Sequence, residues 1–183
     1  NVCTQCLPSV GYYRMGTSPG NLCKTTAEFP PGWGVDTVDL ANLCTPTGCT
    51  LCVMNKAQCT LCNTGSGWYL AGTICKHATL SPVFTASTGP NLGSGMVEAC
   101  AVANCLTCSA NYLICTGCIS LWYLNSNVCQ HATLIPQMPS GFGPNTVSGL
   151  VVACSDTNCL LCKTTYLTCT GCNTGSQWYL DGS

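Results

Sequence analysis

The 183-residue chain carries a formal net charge of −1, only 6% charged side chains and 20 cysteines. Ordinary soluble domains carry about 25% charged residues, so this chain meets water by other means. Its five scattered basic residues exclude a phosphate-holding face and hence a nucleic-acid partner, and no run of about 18 apolar residues exists to span a bilayer.

Cysteine spacing organises the chain into repeats. Residues 1–37 hold Cys3, Cys6 and Cys23, matching the fourth, fifth and sixth positions of a six-cysteine set. Residues 38–95 hold a full set: Cys44, Cys49, Cys52, Cys59, Cys62 and Cys75. Residues 96–149 hold a second: Cys100, Cys105, Cys108, Cys115, Cys118 and Cys129. Residues 150–183 hold the first five positions: Cys154, Cys159, Cys162, Cys169 and Cys172. Every cysteine is used. Because the sequence opens and closes inside motifs, it is expected to be the mature or ordered part of a longer polypeptide.

Other residues keep the same phase. Trp68-Tyr69-Leu70 recurs as Trp122-Tyr123-Leu124 and Trp178-Tyr179-Leu180, with Tyr12-Tyr13 in the equivalent place. His77-Ala78-Thr79-Leu80 recurs as His131-Ala132-Thr133-Leu134. After each knot of six cysteines comes a linker rich in Pro, Gly, Ser and Thr, residues 81–95 and 135–149. At the ends of these linkers, Met96-Val97 and Leu150-Val151-Val152 predict short β-strands packed along the knots. Proline and glycine interrupt every candidate helical window. The expected fold is small and disulfide-rich: an elongated tandem repeat of cysteine knots with short β-strands and turns, little or no helix, and neighbour-to-neighbour contacts.

Cysteine at this density means a disulfide framework or a metal-thiolate protein. Cys49-x2-Cys52-x6-Cys59-x2-Cys62 could close a tetrahedral zinc site, but six cysteines per repeat leave two without a role, and the lysines that accompany anionic zinc sites are missing. Disulfides are therefore expected, with no cofactor and no metal. A redox CxxC needs one reactive pair at a helix N-terminus, which this sequence does not offer. Six cysteines allow 15 pairings. Cysteines two residues apart rarely reach unstrained geometry with each other in an extended chain, so the bonds are expected to run outward.

The string Asn104-Cys105-Leu106-Thr107-Cys108, then Cys115-Thr116-Gly117-Cys118, Trp122-Tyr123-Leu124 and Cys129, resembles the furin-like or growth-factor-receptor cysteine-rich repeat. It is also similar to the cysteine-rich surface proteins of protists, most of all the immobilisation antigens of ciliates. The resemblance covers the knots; the long linker and the Trp in place of a Gly-Tyr depart from it. It implies an extracellular rod or coat without catalytic residues, and outward pairing in the register one-to-three, two-to-four, five-to-six. In that register Cys44 joins Cys52, Cys49 joins Cys59, and Cys62 joins Cys75. Cys100 joins Cys108, Cys105 joins Cys115, and Cys118 joins Cys129. Cys6 joins Cys23, Cys154 joins Cys162, and Cys159 joins Cys169. Cys3 and Cys172 are left over, unpaired or bridging to another unit.

The remaining residues suggest structure rather than chemistry. His77 and His131 are expected to hydrogen-bond rather than to ligate metal or sense pH. The six acids do not recur in phase, and no carboxylate pair or Ser-His-Asp set is arranged for catalysis, so no enzyme is expected. The aromatic ridge of Trp68, Tyr69, Trp122, Tyr123, Trp178 and Tyr179 either covers disulfides or stacks on a ligand. Thr79, Ser81, Thr85, Ser87 and Thr88 offer O-glycosylation positions. The expected function is structural: an O-glycosylated, self-associating component of an extracellular fibre or cell-surface coat, of the surface-antigen kind. The alternatives are a ligand- or glycan-binding receptor or adhesin ectodomain using the ridge, and a zinc-binding scaffold.

Overall fold

The computed structural model describes residues 6–16, 22–36 and 39–180. It is a small disulfide-rich fold of short strand pairs, and the described residues contain no α-helix. Nine disulfides staple the described residues. Two compact units are present, residues 1–85 with 90–98, and residues 86–89 with 99–183.

In the first unit, β1 (Tyr12–Met15) and β2 (Leu22–Thr25) form an antiparallel pair bridged by Cys6–Cys23. The linker hairpin of β3 (Trp33–Val35) and β4 (Ala41–Leu43) follows. It touches β1 through a parallel bridge between Arg14 and Leu40, and touches the next knot through one between Gly34 and Cys52. That knot opens with β5 (Cys49–Leu51) paired to β6 (Leu61–Cys62), placing Cys49 opposite Cys62. The hairpin of β7 (Trp68–Ala71) and β8 (Ile74–His77) closes it, with Leu70 opposite Cys75. Gly72 turns this hairpin at φ 65°, a left-handed conformation that a residue without a β-carbon adopts at little cost. The linker strands β9 (Thr88–Asn91) and β10 (Met96–Ala99) complete a four-stranded sheet in the order β8-β7-β10-β9.

The same plan recurs in the second unit. There β11 (Cys105–Thr107) pairs with β12 (Gly117–Cys118), and β13 (Tyr123–Asn125) pairs with β14 (Val128–Gln130). The linker hairpin of β15 (Phe142–Asn145) and β16 (Leu150–Ala153) lies parallel to β13 through Leu124 and Leu150. The last knot holds β17 (Cys159–Leu161) and β18 (Gly171–Cys172). The apolar runs Met96-Val97 and Leu150-Val151-Val152 thus lie in strands that join the sheet of the preceding knot. Asn145 shapes the β15–β16 turn: its side-chain oxygen accepts from the amides of Val147 and Ser148 at 3.0 and 3.1 Å.

The hairpins also reach forward. Gly141 N–H donates to Leu160 of the next knot at 2.9 Å, and Cys154 N–H donates back to Gly141 at 2.8 Å. The β15–β16 hairpin therefore belongs to both its neighbours, by backbone pairing behind and by hydrogen bonds and close packing ahead. The sequence boundaries at 95/96 and 149/150 fall in the turns of these hairpins, so the phase of the repeat and the compact units divide the chain differently.

Candidate functional site

The core is made of sulfur. Cys52, Cys75, Cys108, Cys129 and Cys162 have no exposed surface, and few aliphatic side chains are buried with them. A unit this small cannot bury a large apolar core, and cross-links take its place. Cys44–Cys52, Cys49–Cys59 and Cys62–Cys75 close the first complete knot. Cys100–Cys108, Cys105–Cys115 and Cys118–Cys129 close the second. The last knot has Cys154–Cys162 and Cys159–Cys169. Cys172 is a free, half-buried thiol, and Cys3 lies outside the described residues.

The fourth and sixth sulfurs stack in both complete knots, Cys59 on Cys75 at 3.2 Å and Cys115 on Cys129 at 3.5 Å. The sulfurs of Cys49, Cys59 and Cys75 fall within 4.8 Å of one another, as do those of Cys115, Cys118 and Cys129. All six are half-cystines in this structure. They therefore lack the thiolate charge that binds zinc.

A threonine after the fourth cysteine pins each knot, a role the spacing of the cysteines does not reveal. Thr60 donates to Leu51 through both amide (2.7 Å) and hydroxyl (3.0 Å). Thr116 does the same to Thr107, and Thr170 to Leu161. The recurrence of Cys-Thr-x-Cys in phase was the available signal.

The aromatic positions diverge. Trp68 is 7% exposed and packs on Cys59, Cys62 and Cys75. Trp122 is half-buried against the cysteine cluster of the second knot. Trp178 and Tyr179, by contrast, are 50% and 72% exposed. Tyr69 and Tyr123 are half-buried, Tyr69 facing Phe84 at 6.2 Å. The six positions thus do not form one continuous exposed ridge.

His77 and His131 lie 5.3 Å from Trp68 and Trp122, ring centre to ring centre. Each Nδ1 accepts two backbone N–H groups: Thr79 and Leu80 at 3.0 and 3.1 Å, Thr133 and Leu134 at 3.1 and 3.2 Å. An accepting Nδ1 carries no proton, so the ring proton is on Nε2. These histidines are turn-forming groups wedged beside an indole.

Asp36, Glu98 and Asp156 accept hydrogen bonds within their own loops and hairpins. Asp36 accepts from Leu40 N–H at 3.1 Å and the Asn42 amide at 2.7 Å, with Lys56 at 3.6 Å. Glu98 accepts from Asn91 at 2.8 Å, and Asp156 from Asn158 N–H at 2.8 Å. Of the glycosylation positions, Thr79, Ser81 and Thr85 are exposed, and Ser87 and Thr88 are half-buried.

The fold and site define a class, the small disulfide-stapled repeat proteins. No family model matches the chain, and no curated protein or solved structure matches it.

Proposed function

We propose that the chain is a structural component of an extracellular fibre or cell-surface coat. The observation that carries this reading is the linker hairpin β15–β16, which extends the sheet of one knot and packs onto a disulfide of the next. Knots joined in this way transmit load through backbone hydrogen bonds and covalent sulfur rather than through a loose tether. Such quasi-linear neighbour coupling suits long, passive scaffolds.

Nine disulfides among the described residues fit an oxidising, extracellular setting, and no helix among those residues is long and apolar enough to cross a membrane. Few charges oppose side-by-side association. The furin-like and ciliate-type resemblance of the knots leads to the same reading. O-glycans on Thr79, Ser81 and Thr85, which are exposed, would hydrate a surface poor in charge.

Burial of Trp68 against disulfides supports the structural role over the ligand-binding ridge. Electron microscopy and sedimentation of native material test the proposal. Filaments or sheets are expected; material that stays monomeric at all concentrations removes it.

A further inference from the structure

The linker glycines that pack on the following knot, Gly34, Gly89 and Gly143, come directly after Trp33, Thr88 and Phe142. The third cysteines of those knots are followed by Val53, Ser109 and Lys163. Of the three junctions, the last alone combines an aromatic ring with a cation. There a cavity of about 220 Å³ opens between the linker and β17, inside the second unit. Met138, Phe142 and Leu161 give it apolar walls, and Gln137, Ser140 and Lys163 bring polar groups. Met138 is 9% exposed, whereas Phe142 and Leu161 are 42% and 41% exposed, so apolar surface is left for a ligand to cover.

The polar groups are only partly used. Gln137 donates its Nε2 to the Ala132 carbonyl at 3.1 Å, and its Oε1 has no donor among the described residues. Ser140 donates its hydroxyl to the Leu160 carbonyl at 3.3 Å, which leaves the lone pairs of its oxygen to accept. Lys163 is half-buried and has no ion pair among the described residues. The cavity therefore offers one positive donor, two oxygen acceptors and a ring face.

A complementary ligand carries a carboxylate for the ammonium, hydroxyl donors for the two oxygens, and an apolar C–H face for Phe142. A wholly apolar acid leaves both acceptors unmatched, and a neutral sugar leaves the ammonium unpaired. Drug-sized ligands occupy pockets of about 300–1,000 Å³, so this smaller cavity suits a single ring. We propose that it is a binding subsite for a carboxylated sugar of the uronic-acid class. The inference goes beyond the coat reading and holds without it, since it rests on the lining of one cavity and not on assembly.

The test titrates the intact protein with glucuronate, glucose and cyclohexanecarboxylate while amide resonances are followed by NMR. Glucuronate should shift Gln137, Ser140, Phe142 and Lys163 saturably, and should bind about tenfold or more tighter than either other probe. Its methyl glycoside distinguishes the two sources of this chemistry. The glycoside binds as tightly if the site takes a residue of a glycan chain, and more weakly if it takes the free acid. Lys163→Ser copies Ser109 and Phe142→Thr copies Thr88, so both variants carry residues that the preceding junction already accommodates. Lys163→Ser should reduce glucuronate affinity to that of glucose, and Phe142→Thr should weaken both sugars. Glucuronate bound no tighter than glucose overturns the proposal, as does cyclohexanecarboxylate bound equally well. Unchanged glucuronate affinity in Lys163→Ser, or saturable shifts confined to other residues, overturns it too.

Discussion

Gly143 packs against the carbonyl and sulfur of Cys162 with no room between them for a β-carbon. Gly34 meets Cys52 and Gly89 meets Cys108 in the same way, so one glycine per linker lets the backbone lie on the one-to-three disulfide of the next knot. None of the three needs a left-handed φ, so the requirement is space alone. Gly143→Ala is expected to cost about 1–3 kcal/mol, the range for overpacking a tight site. Gly93→Ala, whose β-carbon would find its nearest neighbour at 3.4 Å, should change stability by no more than about 0.5 kcal/mol. Denaturant unfolding of the two variants checks the difference.

That contact also marks the limit of sequence reading here. Cysteine phase was legible because sulfur must sit where its partner is, so a covalent constraint leaves a periodic trace. The apolar runs of β10 and β16 were legible for another reason, since contiguous aliphatic and β-branched residues favour a strand. Gly143 was not, because a glycine in a segment rich in Pro, Gly and Ser reads as freedom when its partner is not visible. Nor could three identical Trp-Tyr-Leu motifs disclose different exposures. Burial of Trp68 depends on β8, which lays Cys75 and His77 against it.

The histidine turns predict a tautomer. Nitrogen NMR should find the proton on Nε2 in both His77 and His131, since each Nδ1 accepts two amides. His131→Ala should cost about 1–2 kcal/mol through lost hydrogen bonds and the lost ring contact. His131→Asn should recover part of this. An asparagine oxygen can accept from the amides two and three residues on, as Asn145 already does, yet it cannot cover Trp122. If the Asn variant were no better than Ala, the turn hydrogen bonds would not be what the histidine contributes.

Glu28 supplies a local pH dependence. Its carboxylate accepts from Thr25 N–H at 2.8 Å and Thr25 Oγ1 at 2.9 Å. The backbone hydrogen bond first, then the hydroxyl, hold its pKa below the ordinary glutamate value. A depressed folded pKa means the stabilisation is present above the unfolded pKa and is lost as pH falls through the folded one. The Thr25 amide resonance should therefore titrate at a pH below the normal glutamate range, and Glu28→Gln should remove that titration. Because the group is fully exposed, the effect should stay within the turn.

Tryptophan substitution separates the covering role from the ligand ridge. Trp68→Ala empties a site walled by Cys59, Cys62 and Cys75 and should cost about 3–5 kcal/mol. Trp178→Ala removes a side chain that is 50% exposed and should change stability by about 0.5 kcal/mol or less. Acrylamide should quench Trp178 readily and Trp68 hardly at all. Equal quenching of the two would restore the continuous ridge.

Reduction should unfold the chain outright. The bridges span sequence separations from 8 to 17 residues. Each is worth about 2.5–3 kcal/mol of loop entropy by the chain model. A typical domain retains only about 5–15 kcal/mol of net stability, so opening a few bridges exhausts it, and the buried sulfurs leave little aliphatic core behind them. An excess of dithiol should abolish the strand signal in circular dichroism. Before reduction, Cys172 should be the described cysteine that an alkylating reagent labels under denaturing conditions. Strands that persist after every bridge is opened would show that side-chain packing, and not sulfur, holds the knots.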